Sequence, residues 1–181
     1  MAAAWCLKKA GITIRDVDYV VFYEKPFTKF ERIIKTNLAT FPRSSRLFSR
    51  SMAAWFGDKL WMDAIIREEL GFDREVMYVE HHISHAASAY FCSPYDEAAI
   101  LTVDGVGEWS TTVTGTARGN EIKMEEELRF PHSIGLLYSA FTAFLGFEVN
   151  EGEYKVMGMA PYGTPRYLDK VWQLVKLTDQ G

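Results

Sequence analysis

The chain has 181 residues, of which 48% are hydrophobic and 24% are charged. Its 20 lysine and arginine residues against 24 aspartate and glutamate residues leave a formal net charge of −4. This composition is typical of a globular domain or of one lobe of a larger domain; it excludes a disordered chain and disfavours bulk binding of nucleic-acid backbones.

The hydrophobic pattern divides the chain into alternating helices and strands. Helices are predicted where apolar residues recur with helical spacing, and strands where short runs are rich in β-branched and aromatic residues. In chain order, the predicted elements are a helix over Ala2–Ala10, a strand over 18–23, a helix over 27–38, a helix over 48–70 that breaks near Gly57, a strand over 75–80, a helix over 81–91, strands over 97–103, 109–117 and 121–128, and helices over 133–145 and 167–177. Loops are predicted over 42–46 and from Gly146 onward.

Three of the predicted strands, over 18–23, 75–80 and 97–103, are compact apolar runs, which predicts that they are buried. The strand over 109–117 alternates polar and apolar residues, which indicates one exposed face. Because strands alternate with helices except at one hairpin, we predict an α/β architecture in which helices cover a mixed β-sheet.

The two cysteines, Cys6 and Cys92, have no metal-binding spacing, which disfavours a disulfide scaffold and a structural zinc site. No apolar run has the length of a membrane span, and the amino terminus lacks the charged and apolar regions of a signal peptide. We therefore expect a cytoplasmic protein with no membrane partner. His132 has no partner in the sequence pattern, and we interpret it and the cysteines as structural residues.

Three of the four histidines, His81, His82 and His85, lie within five residues where a strand ends and a helix begins. Positions i and i+4 share a helix face, so His81 and His85 can present two imidazoles to one metal ion. Zinc proteases have the same spacing with glutamate in the second position, but His82 stands there, which excludes that class. The alternative is that the histidines cap or pack the start of the helix.

A second candidate site follows the next strand, where Asp104 precedes a turn that contains Gly105 and Gly107. A carboxylate is a hard ligand for a cation, and glycines permit the backbone N–H groups of such a turn to approach a phosphate closely. The alternative is a plain β-turn in which glycine is needed only for its dihedral angles.

Both candidate motifs follow strands, and ligand sites of α/β proteins lie at the carboxyl ends of strands. We therefore predict that His81, His85 and Asp104 face one crevice and form a mixed nitrogen and oxygen site. Two histidines and one carboxylate resemble the ligand set of non-haem iron, although manganese and zinc also fit.

Two further motifs are weaker. Gly135 lies near the start of the predicted helix over 133–145, where the helix N-terminus can bind an anion, and Lys155 can meet a phosphate or carbamoyl oxygen. The alternatives are that Gly135 relieves crowding and that Lys155 is a solvated side chain. Residues 25–32 mix basic and aromatic side chains, which suits an anionic ligand or nucleic acid but is also typical of a solvated helix face.

Taken together, these motifs resemble the O-carbamoyltransferases, a family that includes nodulation-factor and antibiotic-tailoring enzymes. The resemblance covers nearly the whole chain. It is carried by four ordered motifs and an earlier stretch, which are EHHISHAASAYF at 80–91, LTVDGVGEW at 101–109, SIGLLYSAFT at 133–142, GEYKVMGMAPYG at 152–163, and the stretch over 11–32 that contains DYVVFYEKP.

The resemblance implies a partial lobe of an actin-like ATPase or sugar-kinase fold, related to the catalytic subunit of tRNA threonylcarbamoyl transferase. In the family, a separate domain makes carbamoyladenylate from carbamoyl phosphate and ATP, and the amino-terminal domain transfers the carbamoyl group to the hydroxyl of a small-molecule acceptor. By this resemblance, residues 1–181 are part of the amino-terminal domain, and the opening strands, the second lobe and the adenylate-forming domain lie outside them. We therefore expect the chain by itself to be inactive.

Carried over position by position, the resemblance implies that His81, His85 and Asp104 bind a mononuclear divalent metal, usually iron. It further implies nucleotide or phosphate contacts from the turn after Asp104 and from two later positions. These predicted contacts are Gly105, Val106, Gly107, Glu108, Gly135 and Lys155.

The predicted reaction is acyl transfer, with the metal ligands acting as positioning groups and not as nucleophiles. No general base is identified, and His82 is a candidate only by its proximity. Two alternatives remain open, namely threonylcarbamoyl transfer to tRNA, which the acidic charge balance disfavours, and a non-catalytic module that binds a metal or a nucleotide.

Overall fold

The computed structural model describes residues 2–177. The chain divides into two compact units, one ending at Gly135 and the other beginning at Leu136. Among the described residues, no helix combines the length and the apolar character that a membrane crossing requires. Cys6 and Cys92 are both exposed free thiols.

The first unit contains five α-helices among its described residues and all the strands that the structure describes. The helices are α1 (Ala2–Ala10), α2 (Pro26–Ala39), α3 (Ser45–Gly57), α4 (Met62–Leu70) and α5 (His81–Tyr90). The strands are β1 (Val20–Phe22), β2 (Val76–Tyr78), β3 (Glu97–Val103), β4 (Ser110–Arg118) and β5 (Glu121–Arg129).

The strands form two sheets. Strands β1 and β2 pair in parallel, with Val20 opposite Val76, whereas β3, β4 and β5 form an antiparallel meander in that order. The α/β class is therefore confirmed, but the prediction of one mixed sheet is wrong for the described residues. No strand pairing joins β1 or β2 to the meander in the described part of the chain. The connections explain only the direction of pairing within each sheet, because short turns join the meander strands whereas three helices lie between β1 and β2.

The predicted burial of three strands is also wrong, because each has an exposed face. Strands β1 and β2 contain only three residues each, and Val21 in the middle of β1 is 57% exposed. In β3, Ile100 is buried whereas its neighbour Leu101 is 67% exposed. A β-branched, apolar run predicts a strand, but burial also requires a layer on each face, and α5 covers only one face of the meander.

The core of the first unit forms where α5 lies on the meander. Small residues let the helix approach the strands closely, and one aromatic ring fills the remaining space. The core residues are Ala86 and Tyr90 from α5, Ile100 from β3 and Ala117 from β4, with Ala98, Ile122 and Met124 packed against them. This packing fixes the start of α5 relative to the end of β3, which positions the candidate site.

The predicted helix boundaries differ from the structure in three places. Helix α3 begins at Ser45, inside the predicted loop, although the predicted break near Gly57 is confirmed. Helix α7 (Glu153–Met159) lies in the stretch that was predicted to be a connection, since the carboxylate of Glu153 accepts a hydrogen bond from the backbone N–H of Asn150 and favours the helix start. Helix α8 (Leu168–Val171) is much shorter than the predicted 167–177.

The second unit contains α7, α8 and most of helix α6 (Ile134–Phe144), which begins at the boundary between the units. Within this unit, the hydroxyl of the fully buried Thr142 donates to the carbonyl of Tyr138, one helical turn earlier. The hydroxyl of Ser139 donates to the carboxylate of Glu153 over 2.9 Å, which joins α6 to α7.

Replacing Tyr90 by phenylalanine tests the core that holds α5. The Tyr90 hydroxyl donates to the carbonyl of Asp96 over 2.7 Å, and loss of this partly buried bond should lower the free energy of unfolding by about 1 kcal/mol. Urea denaturation measures the change, and Tyr95→Phe, at an exposed position, should leave the stability unaltered. Equal stability of the two variants would contradict this account of the core.

Candidate metal centre

Three acidic or basic side chains follow the carboxyl ends of three strands. Glu24 comes two residues after β1, His81 three residues after β2, and Asp104 directly after β3. Strands β1 and β2 are parallel, and the backbone N–H of Val79 extends their pairing by donating to the carbonyl of Phe22 over 3.1 Å. The first two of these side chains are therefore brought to the same edge of one sheet.

The structure brings together the three residues that the sequence predicted as metal ligands. The Nε2 atom of His81 lies 2.8 Å from Oδ2 of Asp104 and 3.0 Å from Nε2 of His85. The Nε2 atom of His85 lies 3.8 Å from Oδ2 of Asp104. The two histidines occupy one face of α5, one turn apart, as their spacing predicted.

These separations fit a single metal ion. Ligand atoms about 2.1 Å from one ion lie roughly 2.8–3.8 Å from one another when the angles between them are about 85–130°. The separations of 2.8 and 3.0 Å thus match nearly right angles at the ion, and the separation of 3.8 Å matches a wider one. A single proton on Nε2 of His81 cannot satisfy Asp104 and His85 equally well, whereas a cation can accept a lone pair from all three. The imidazole of His81 is mostly buried and that of His85 is 51% exposed, so the cluster opens to solvent on one side and leaves room for further ligands.

The charges at this cluster strengthen one another. The imidazole of His81 lowers the pKa of Asp104 to about 2, and the backbone N–H of Gly105 contributes by donating to Oδ1 over 2.6 Å. In turn, Asp104 and then Glu24 raise the pKa of His81 to about 9. In the metal-free chain, the site is therefore a carboxylate beside an imidazolium, which is the charge pattern that a bound cation would replace.

Glu24 is a site residue that the sequence motifs did not identify. Its side chain is buried, and Oε2 lies 3.6 Å from Nδ1 of His81, which is shielded from solvent and has no hydrogen-bond partner. His81 and, after it, Lys29 lower the pKa of Glu24, and Nζ of Lys29 lies 2.7 Å away. Histidine ligands commonly have a carboxylate at the nitrogen that does not face the metal, where it orients the ring. The sequence feature that could have identified Glu24 is its position just after β1, since His81 and Asp104 likewise follow β2 and β3.

His82, the sequence candidate for a general base, has both ring nitrogens engaged inside the protein. Nε2 donates to the carbonyl of Ser110 over 2.9 Å, and Nδ1 accepts from the hydroxyl of Thr102 over 2.7 Å. Because a carbonyl only accepts, the proton lies on Nε2, and burial lowers the pKa of His82. The side chain joins α5 to β3 and β4, and its role as a base stays a prediction.

Two predicted glycines lie where a side chain would collide with the site. A Cβ atom on Gly107 would lie 2.8 Å from Cδ2 of His81, and one on Gly135 would lie 2.5 Å from the carbonyl oxygen of Asp104. The hydroxyl of Ser133 donates to the carbonyl of Gly105 over 2.6 Å. The turn after Asp104 is therefore held closely between the start of α5 and the start of α6.

The remaining predicted phosphate contacts differ in their surroundings. Val106 is half-buried in the turn, whereas the carboxylate of Glu108 accepts from the backbone N–H of Lys25 over 2.6 Å and so caps the start of α2. Lys155 lies in α7 of the second unit, with Nζ 5.7 Å from the ring centre of Tyr154. Its contact with a phosphate stays a prediction.

Comparison with known proteins assigns the chain to a family. A family model described as the carbamoyltransferase N-terminus matches residues 1–180. The chain belongs to the carbamoyltransferase family. The predicted resemblance is thereby confirmed at the level of the family.

Several curated proteins are similar to the chain. The chain is 51% identical to an uncharacterized protein, sll1178, of Synechocystis over 92% of its own length and 28% of the relative. It is 32% identical to the nodulation protein NolNO of Sinorhizobium fredii, over 98% of the chain and 25% of the relative. It is 34% identical to the nodulation protein NolO of Bradyrhizobium diazoefficiens, over 57% of the chain and 19% of the relative. The matches thus cover between 19% and 28% of the length of these relatives.

The protonation of His81 gives a direct test of the charges at the site. In the metal-free chain, its imidazole should keep its proton up to about pH 9, because Asp104 and Glu24 stabilise the charged form. A titration of the histidine ring signals by NMR, with a chelator present, measures this pKa. Asp104→Asn should move it towards the ordinary value of 6.5, whereas Asp73→Asn, at an exposed carboxylate, should leave it unchanged. A pKa near 6.5 in the unaltered chain would contradict the geometry.

Proposed function

We propose that the chain forms the carbamoyl-transfer part of an enzyme that moves a carbamoyl group from carbamoyladenylate to a hydroxyl of a small-molecule acceptor. The observation that carries the proposal is the convergence of His81, His85 and Asp104 at the strand ends of a carbamoyltransferase family member. Residues 1–180 match a family model described as the carbamoyltransferase N-terminus, and in this proposal the chain is a partial lobe of an actin-like fold.

The three converging residues are proposed to hold one divalent metal ion. Two imidazoles and one carboxylate suit iron, and also manganese or zinc. A metal ion held there would supply a Lewis acid that stabilises negative charge on the phosphate oxygens of the leaving group. Glu24 orients the ring of His81 from the opposite side, and His82 holds the start of α5 in place.

The turn after Asp104 is the proposed phosphate-facing surface. Gly105 and Gly107 carry no side chain, so their backbone N–H groups can approach a phosphate more closely than those of other residues. Gly135 and Ser133 hold this turn from the side of α6, through contacts with the backbone of Asp104 and Gly105. These residues position the adenylate and take no part in bond making.

The proposed step exchanges one acyl bond for another. The acceptor oxygen forms a bond to the carbamoyl carbon, the bond from that carbon to the phosphate oxygen breaks, and AMP leaves with the electron pair. In this proposal the hydroxyl proton passes to solvent, because both ring nitrogens of His82 are engaged, Nε2 with the carbonyl of Ser110 and Nδ1 with the hydroxyl of Thr102. Carbamoyl phosphate and ATP are the proposed source of the adenylate, which is made by a part of the enzyme outside this chain.

The first test of this function replaces His81 by alanine. The variant should lose its bound metal, because His81 Nε2 lies closest to both other ligand atoms. Equilibrium dialysis against Fe²⁺ or Mn²⁺ with elemental analysis measures the loss. His132→Ala is the matched control, since this histidine lies outside the metal cluster.

The same variants connect the metal to the reaction. In a full-length protein that contains this chain together with the opening strands, the second lobe and the adenylate-forming part, release of AMP from ATP should require carbamoyl phosphate, an acceptor alcohol and His81, but not His132. Stoichiometric metal without any such turnover would favour a non-catalytic metal-binding module. Metal retained at wild-type affinity by His81→Ala would contradict the ligand assignment.

A second test concerns Glu24, which contacts His81 and does not belong to the ligand cluster. Glu24→Gln should weaken metal binding by about 10- to 100-fold, the usual effect of removing a carboxylate that orients a ligand histidine. Titration with Mn²⁺ measures the affinity. Glu31→Gln, which removes an exposed carboxylate paired with Lys35 on α2, should have no effect. Equal affinity of the two variants would rule out an orienting role for Glu24.

A further inference from the structure

Arg32 is a buried cation without a carboxylate partner. Its side chain projects from α2 and is only 7% exposed. Among residues 2–177, no carboxylate oxygen lies within 4.0 Å of its guanidinium, and its Nε is shielded from solvent without any acceptor. A buried charge without a counter-ion is costly, so a group that accepts these hydrogen bonds would stabilise this arrangement.

The one aromatic contact of Arg32 leaves its donors available. The guanidinium carbon lies 5.1 Å from the ring centre of Phe130, which is the distance of a cation–π contact. Such a contact uses the face of the guanidinium plane. The N–H groups point outward within that plane, where they form a fork that matches a phosphate or a carboxylate.

The neighbouring charges are positive in balance. Lys29 lies three residues before Arg32, on the same side of α2, and its Nζ contacts Glu24 over 2.7 Å. Burial lowers the pKa of Arg32, while the charge of Glu24 acts in the opposite direction, so Glu24 also lies within electrostatic reach of Arg32. Glu24 is therefore the neighbouring carboxylate of three cationic groups, Lys29, Arg32 and His81. Positive charges thus outnumber negative charges on this side of the metal cluster.

We propose that Arg32, together with Lys29, binds a phosphate oxyanion on the Glu24 side of the metal cluster. Phosphate is chosen over carboxylate because the proposed donor, carbamoyladenylate, and the carbamoyl phosphate and ATP from which it is made all carry phosphate, and in this respect the inference rests on that function. The oxyanion is either inorganic phosphate or the phosphate of a nucleotide. The site is separate from the glycine turn after Asp104, and it uses a basic and aromatic stretch of the sequence that the metal centre leaves without a role.

The experiment titrates the chain with inorganic phosphate and, separately, with AMP, each in the presence of a chelator and monitored by calorimetry. Arg32→Met should weaken binding of the oxyanion by at least tenfold, and Arg32→Lys should weaken it less, since the charge remains but the fork is lost. Arg50→Met, which removes an exposed arginine of α3, is the matched control and should bind like the unaltered chain. Saturation by phosphate, by AMP or by both identifies the source of the oxyanion.

Folding of the variants is checked by their thermal unfolding midpoints. Arg32→Met should unfold no earlier than the unaltered chain, because an apolar side chain of similar length replaces an unpaired buried charge. Wild-type affinity in both Arg32 variants, or no saturation of the unaltered chain by either anion, would overturn the inference. His81→Ala should still bind the anion in chelator, so failure of the metal assignment would be distinct from failure of this site.

Discussion

The rest of the site depends on the two hydrogen bonds that the buried imidazole of His82 makes. The ring lies between the first turn of α5 and two strands of the meander, donating to Ser110 and accepting from Thr102. Loss of this side chain would leave a carbonyl and a hydroxyl without their partner, at a cost of about 1–3 kcal/mol. Because His81 and His85 lie on the same first turns of α5, their distance from Asp104 follows from how His82 is held.

Around this contact, the strand ends are crowded and charged. Gly107 lets the turn after Asp104 lie against the ring of His81, and Gly135 lets α6 begin against the backbone of that turn. The charged groups then alternate in sign, from Asp104 through His81 to Glu24 and on to Lys29. This alternation stabilises a protonated His81. In the proposed metal centre, Asp104 is a ligand on one side of the ring and Glu24 orients the ring from the other.

Much of the site was predictable because its residues obey local rules. The spacing of His81 and His85 follows from the helical period, and Asp104 follows from its place at a strand end. Glu24 has the same kind of place, but it belongs to no local motif, and only the parallel pairing of β1 with β2 brings it to His81. The place of Glu24 in the site could therefore be recognised only from the tertiary structure.

The wrong predictions concern the burial of strands and the ends of helices. An apolar run such as that of β3 predicts a strand, but only the structure shows that α5 covers one of its two faces. The end of α8 was predicted too late because the apolar pattern continues past Val171, where the chain forms hydrogen-bonded turns as far as Val175 instead of a regular α-helix. The contact of Glu108 with a phosphate stays a prediction; in the structure its carboxylate accepts from the backbone N–H of Lys25 at the start of α2, a contact between segments far apart in the sequence.

The central claim is that His81, His85 and Asp104 act together as ligands of one metal ion. X-ray absorption spectroscopy of the iron-loaded chain tests this claim most directly, because it reports the type and number of ligands without requiring catalytic turnover. The account predicts a first shell of nitrogen and oxygen atoms with the scattering pattern of two imidazoles. A shell that contains sulfur, or one with a single imidazole or none, would contradict it.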